Sequence, residues 1–543
     1  MGSMMMMTMK KVFIILSSVH SLFFLLILPV NSNLIPESFI HCLSSDHQFP
    51  SNTSILSVTY VTTNASYQSL LHSCVQNLRF LSSDTPKPLA IITALEYSHV
   101  QTAVTCSKSN GLQIRIRSGG HDFEGLSYRS QVPFVILDLR NLKSVSIDIE
   151  DGSAWVESGA TLGELYYAIA EKSPVHGFPA GSYPGVGIGG HFSGGGVGYL
   201  VRKYGLAADN VIDALVVDVN GRILDKESMG SDLFWAIRGG GGGSFGVVLA
   251  WRIKLVQVPA VVTACKPIRT FEHGAIDLLH KWQYVQPKLS EKITSLPVSN
   301  RLGVEFNFLF LGRVEELLEM TEDEFPELQL RKEDCSEMSW IESVLFLSGY
   351  PGGNSIEILK NRAYNPFRVH LKLKTDLIHQ PLPYEAFEGM RKWNTGVDSG
   401  SIFFQSYGGI MKRISESELP FPHRKVQYEI LYLMGWMEGD KKDGEKSSSE
   451  KYIHQLGELY ELMTPYVADN PRSAYVNSRD LDLGTNDVFG TTTYSKAEND
   501  WGLRYFKNNF RKLAIIKAEV DPTNFFNHQQ SIPPLFVTHH NEL

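Results

Sequence analysis

The stretch AGSYPGVGIGGHFSGGG (180–196) constrains this chain more than any other. So many residues without a side chain bring the backbone close to something, either another segment or a ligand. Gly185-Val186-Gly187-Ile188-Gly189-Gly190 fits G-x-G-x-x-G, the fingerprint of a dinucleotide-binding βαβ unit. That unit needs a buried strand before the motif and a helix opening from it. The preceding SPVHGFPAGSYP carries Pro174, Pro179 and Pro184, and glycines continue to Gly196 and Gly198. This context argues against a nicotinamide-binding Rossmann domain. Free backbone N–H groups in such a loop can still face an anion. Ser118-Gly119-Gly120 and the run 239–243 are two further glycine stretches. Three in one region fit a large phosphate-bearing cofactor that touches the chain in several places. The plainer alternative is flexible surface turns.

At 543 residues the chain exceeds one hydrophobic core, so two or more domains are expected. A net charge of −8 carries no electrostatic footprint for nucleic acid. Lys10 and Lys11 precede an apolar run from Val12 to Val30, and small polar residues follow. This is the pattern of a secretory signal peptide over 1–32, with a membrane anchor as the alternative. Cleavage would leave no stable membrane association. The sequons at Asn52 and Asn64 suit a glycosylated secretory protein. Five cysteines leave at least one thiol unpaired within the chain, and none has the spacing of a zinc site. No metal is expected.

From Pro86, short apolar runs (LAIITAL, QIRIRSGG, FVILDL, SVSIDI, AWVESG) alternate with glycine turns and read as strands. Helices are expected over 98–107 and 162–171. VIDALVVDVNGRILD reads as a hairpin turning at Asn220-Gly221. From about 260 to 475, amphipathic helices such as HGAIDLLHKWQYV alternate with long strands such as RLGVEFNFLFLG and KVQYEILYLMGWM. That suits a sheet covered on one face by helices. The polar segment 439–450 reads as an exposed loop. The division expected is 33–84 with 85–259 as a first domain, 260–475 as a second, and 476–543 returning to the first.

Five segments, RIRSGGHDFEGLSYRS (115–130), the loop at 180–196, KYGLAADNVIDA (203–214), DLFWAIRGGGGGSFGVV (232–248) and DPTNFFNHQQSIPP (521–534), resemble the plant berberine bridge enzyme-like FAD-linked oxidases. The resemblance covers nearly the whole mature chain in the right order. It implies an α+β fold: a bipartite FAD-binding domain of the vanillyl-alcohol oxidase (PCMH) type and a substrate domain of antiparallel sheet plus helices. It implies a Cys42–Cys106 bridge, a monomer, and delivery to endoplasmic reticulum-derived vesicles, vacuole or apoplast. Arg117, Ser118, Gly119, Gly120, Gly125, Tyr183, Val186, Gly187, Gly190, His191, Gly195, Val248 and Asn508 are implied to contact FAD. His121, in the SGGH motif, matches a covalent tether to the flavin. A second tether in the family is the cysteine of A-G-x-C-P, and Tyr183 stands in its place. A phenol is not expected to form the thioether, so attachment is expected through His121 only. Val186 matches a position that gates oxygen, where a small residue goes with O2 reduction to H2O2.

Family members that oxidise carbohydrates or monolignols place tyrosines or a Lys-x-Gln pair where this chain has Phe123, Val197, Ser478, and Glu429 with Leu431. The last pair is aligned by counting back from Trp436 across a one-residue deletion after Arg424. The polar constellation that activates an alcohol is replaced, which leaves an apolar pocket with one carboxylate. On an alternating strand Glu429 and Leu431 share a face. Glu429 is the candidate catalytic base and a partner for a protonated amine; the alternative is a solvated strand glutamate. A tertiary amine suits this pocket, because its lone pair expels hydride from the adjacent carbon and leaves an iminium ion. The expected function is oxidation of an alkaloid amine, with O2 as acceptor, as in members that serve monoterpene indole alkaloid biosynthesis. The alternatives are an alcohol or carbohydrate oxidase, a flavin-containing cyclase of Diels–Alder type without net redox, and a binding protein without flavin. Acid-precipitated protein is expected to keep its yellow flavin, and His121→Ala to release it into the supernatant. Flavin absorbance of pellet and supernatant checks both.

Overall fold

The computed structural model describes residues 35–45, 48–350, 354–362, 368–437, 448–467, 470–489 and 491–537. The expected signal segment 1–32 and most of the 439–450 loop lie outside the described residues.

The first domain is built on β1 (Thr59–Val61), β2 (Ala90–Thr93), β3 (Gln113–Arg117), β4 (Phe134–Asp138), β5 (Val145–Asp148), β6 (Ser153–Glu157), β7 (His176–Gly177), β8 (Val211–Val217), β9 (Ile223–Leu224), β10 (Val247–Lys254) and β11 (Val256–Gln257). One sheet has the order β1-β2-β4-β3, with β2, β4 and β3 parallel and β1 antiparallel to β2. β2 and β4 are buried along their whole length, as strands covered on both faces must be. Helix α1 (Tyr97–Ser109) crosses from β2 to β3, two residues longer at its C-terminal end than the sequence pattern suggested. A second sheet, all antiparallel, has the order β5-β6-β10-β8-β9. Its β8–β9 hairpin turns at Asn220-Gly221, where Gly221 has φ +78°. Helix α2 (Leu162–Lys172) starts at a capping box in which Thr161 and Glu164 exchange side-chain-to-backbone hydrogen bonds.

The second domain is one antiparallel sheet of β12 (Val262–Cys265), β13 (Ile268–Thr270), β14 (Ile293–Asn300), β15 (Gly303–Phe310), β16 (Cys335–Met338), β17 (His370–Ile378), β18 (Ser401–Ser406) and β19 (Tyr428–Trp436). Its order is β16-β12-β15-β14-β18-β19-β17, with β13 paired to β15. Alternation along β19 sorts the side chains. Tyr428, Ile430, Tyr432 and Met434 are fully buried in a core shared with the helices 275–285, 384–396 and 448–463. Glu429, Leu431 and Leu433 take the other face. That is the arrangement the period-2 strands and amphipathic helices predicted.

Cys42–Cys106 is a disulfide, as the resemblance implied. A second bridge, which the sequence left open, joins Cys265 and Cys335, directly opposite each other on β12 and β16. Cys74 is the free, buried thiol. The C-terminal helix 509–520 returns to the first domain. Its Lys517 is fully buried and donates to Ser244 O at 2.6 Å, Phe526 O at 2.8 Å and Asp521 Oδ2 at 2.6 Å. Burial pushes this ammonium down to about 8, and the Asp521 carboxylate opposes the shift.

Two arginines join the domains. Arg202 donates from the first domain to Gln286 Oε1 at 2.9 Å and Leu289 O at 2.6 Å in the second. Arg424, with no exposed surface, forks onto Asp209 at 2.7 and 2.8 Å. Removing one partner of such a pair strands a desolvated charge. Arg424→Met should therefore lower stability by about 3–5 kcal/mol, read as a drop in the urea midpoint at unchanged m.

Candidate active site

A cavity of about 1060 Å³ lies between the glycine loops of the first domain and the open face of the second sheet. Two of those loops cross without side chains between them. A Cβ on Gly119 would stand 2.4 Å from Gly187 N, and one on Gly187 would stand 2.1 Å from Gly119 N. Packing thus explains these two glycines. It does not explain Gly190 and Gly243, which also line the cavity. A Cβ on Gly190 would meet nothing within 4 Å, and one on Gly243 only Ile116 Cδ1 at 3.9 Å. Their bare backbone leaves room for a group held in the cavity, which is what a cradle for a large cofactor requires.

Ser118 fixes the crossing by donating to Ser158 O at 2.5 Å and accepting from Gly189 N at 3.2 Å. Arg117 lies outside the lining. Its guanidinium donates to Cys74 O at 2.9 Å and Gly119 O at 3.2 Å and pairs with Asp138, so it braces the loop from behind. His121 lines the cavity, and burial holds its imidazole down at about 4. Nearby Arg117 adds to that shift, and a hydrogen bond with the Gly185 backbone opposes it. The ring is neutral at pH 7 and keeps a nucleophilic nitrogen. Tyr183 meets it edge-on, with ring centroids 5.7 Å apart. His191 is also held at about 4 by burial and accepts the Gly181 N–H at 2.8 Å.

Gly120, Tyr183, Val186, His191 and Val248 line the cavity, as do the pocket residues Phe123, Val197, Leu431 and Ser478. Besides Arg117, three expected cofactor contacts do not. Gly125 has φ +70°, and a Cβ there would strike the Phe80 ring at 2.7 Å, so it serves a turn. Gly195, at φ +116°, is covered by Leu206 and Phe421. Asn508 is exposed at the start of the C-terminal helix, which turns Phe510 and Leu513 inward instead.

Glu429 is buried, 2 % exposed, and lines the cavity. Burial pushes its carboxyl up to about 8, while hydrogen bonds from Tyr407 and Ser478 resist the shift. Tyr407 Oη donates to Oε2 at 3.0 Å. Oε1 has no hydrogen bond of normal geometry. Around it the sheet face presents Leu431, Leu433, Phe403, Leu296 and Val298, with Gln405 directly across on β18. The expectation of a single carboxylate needs correcting, because Asp122, which pairs with Arg479, and Glu305 on β15 also line the cavity. The signal was present in RLGVEFNFLFLG. Val304, Phe306 and Phe308 alternate into the helix-covered core, which leaves Glu305 and Asn307 for the opposite face.

A mixed first domain, an antiparallel second domain and a glycine cradle between them define a two-domain protein with a site for a large cofactor. The family model described as FAD binding domain matches residues 88–226, and that described as berberine and berberine like matches 474–533. O-acetylstemmadenine oxidase of Catharanthus roseus is 53 % identical over 97 % of this chain and 99 % of its own. Tetrahydroberberine oxidase of Berberis wilsoniae is 49 % identical over 92 % of this chain and 94 % of its own. The crystal structure of Phl p 4, a grass pollen allergen with glucose dehydrogenase activity, superimposes with a TM-score of 0.86 at 42 % identity, covering 92 % of this chain and 100 % of the allergen. The chain belongs to the berberine bridge enzyme-like family of FAD-linked oxidoreductases, with the PCMH-type fold its sequence resembles. Its cofactor is FAD. Among the described residues no helix is long and apolar enough to cross a membrane, and no cluster could hold a metal ion.

Gly190→Ala should lower the flavin content of purified protein and leave the far-UV circular dichroism unchanged. The ratio of absorbance near 450 nm to that at 280 nm measures the loss.

Proposed function

We propose that this protein oxidises a tertiary alkaloid amine to the iminium ion, with O2 reduced to H2O2. The observation that carries the reading is Glu429, a buried carboxylate with a raised pKa set in an apolar wall. Bound FAD supplies a hydride acceptor that passes its electrons to O2. The chain's own groups handle the proton. Glu429 as carboxylate takes the N–H proton of the ammonium, which frees the lone pair that must expel hydride. The same carboxylate position then faces the cationic product. That proton and the hydride, together with O2, account for H2O2, and one positive charge stands on each side. No alcohol base is needed, and the positions that carry the alcohol-activating groups elsewhere in the family hold Phe123, Val197, Ser478, and Glu429 with Leu431. The alkaloid oxidases at 53 % and 49 % identity support an amine substrate; an indole alkaloid fits the first of them.

Within the same reading, FAD is attached through His121 alone. A buried neutral imidazole suits that bond, and Tyr183 offers no thiol for a second. Val186 leaves space for O2 beside the cofactor. In the grass pollen allergen, an isoleucine-to-valine variant is a glucose oxidase where the wild type is a glucose dehydrogenase. The protein enters the secretory pathway, a reading supported by the N-terminal apolar run, two disulfides and the exposed Asn52 and Asn64.

Glu429 must be ionised to take the proton, so kcat/KM should rise with pH through about 8 and then level off. Glu429→Gln should abolish this limb and lower turnover by roughly 10²–10⁴. Initial rates of peroxide release with a tertiary amine across pH 6–10 test both. Unchanged kinetics in the variant would remove Glu429 from the mechanism.

A further inference from the structure

Glu305 is a carboxylate of the cavity wall that the oxidation chemistry does not use. Two polar groups from elsewhere in the fold gather near it. Lys266 comes from the turn between β12 and β13, and Tyr199 follows the glycine-rich loop; both line the cavity. The Glu305 charge favours the Lys266 ammonium against burial and resists ionisation of Tyr199. Lys266 Nζ lies 5.0 Å over the Phe346 ring. No hydrogen bond or salt bridge joins the Glu305, Lys266 or Tyr199 side-chain end to another described residue. Polar groups that merely stabilise a fold are ordinarily paired. These three are half-buried and face a ligand cavity.

The sheet register gives their distance from the reacting end. Glu305 shares a row with Val298, Phe403 and Leu431, two residues along the strands from the row of Glu429. Three strand spacings of ~4.8 Å and a two-residue step of ~7 Å put the two glutamate Cα atoms about 16 Å apart. A hydrogen bond of ~2.8 Å at each end leaves about 10 Å for the ligand between them. That is the length of a rigid polycyclic amine rather than of a single ring.

We propose that Glu305, flanked by Lys266 and Tyr199, is a specificity-determining subsite that accepts an N–H or O–H donor of the substrate about 10 Å from the oxidised amine. The proposal rests on the amine-oxidation reading. The Lys266 ammonium shares this part of the wall with Glu305, and a carboxylate accepts hydrogen bonds and donates none. A substrate with a donor at that distance satisfies it. One with a methyl group there leaves a desolvated acceptor without a partner, and sites built to hydrogen-bond a group reject the analogue that lacks it.

The test uses the flavin-loaded enzyme without oxygen and two synthetic tetracyclic tertiary amines. One carries a phenolic hydroxyl about 10 Å from the nitrogen, and the other is its methyl ether. Bleaching of the flavin reports the reaction. The half-saturating concentration should be at least about 10-fold lower for the phenol, with limiting rates within about threefold. Glu305→Leu should make the two compounds alike. Glu305→Gln, which keeps a carbonyl acceptor, should retain part of the preference, which separates loss of recognition from loss of folding. If wild type shows no preference, or Glu305→Leu keeps it, the subsite is overturned while the amine reading stands. If neither compound bleaches the flavin, the amine reading itself fails, and the subsite with it.

Discussion

The backbone crossing of Gly119 over Gly187 is the contact on which the site depends. Neither residue has room for even a methyl group, so the loop after β3 and the loop at 180–196 hold a fixed position relative to each other. His121 is two residues beyond one side of that crossing, and Val186 is next to the other. Two residues from segments that are distant in sequence, His121 and Val186, therefore both line the cavity. Ser118 and Arg117 reinforce the arrangement from below.

The opposite wall follows from a different constraint. A pleated strand that buries Tyr428, Ile430 and Tyr432 against helices must turn Glu429 and Leu431 the other way. With the first domain docked over that face, Glu429 loses water, and this raises its pKa. The Arg424–Asp209 fork and Arg202 hold the two domains in register. The acid–base property of the site is thus a consequence of domain docking as much as of the residue itself.

Much of this was legible in sequence. The period-2 strands and the turn at Asn220-Gly221 needed only local patterning. The Rossmann fingerprint could be rejected from the prolines before it, although a short helix, Ile188–Ser193, does open from its glycines where the glycine run argued for none. The face carrying Glu429 followed from alternation. What escaped was long-range or hidden by a shared residue type. Nothing local separates Gly125 and Gly195, which relieve strain in turns, from Gly190 and Gly243, which leave space for a ligand. The resemblance implied that Asn508 contacts FAD, but helix phase turns it to solvent. Glu305 could have been read from the alternation of RLGVEFNFLFLG, yet which face of that strand meets the cavity is set by packing across domains. The Cys265–Cys335 bridge likewise needed the β12–β16 pairing.

The account's central claim is that a carbon next to an amine nitrogen delivers hydride in a pocket that does not activate alcohols. The most direct measurement is anaerobic stopped-flow reduction of the flavin by a tertiary indole alkaloid, unlabelled and deuterated at that carbon, beside glucose and a monolignol alcohol. The account predicts rapid bleaching by the amine with a primary deuterium isotope effect, and none by glucose or the alcohol. Bleaching by glucose or the alcohol, with the amine inert, would contradict it.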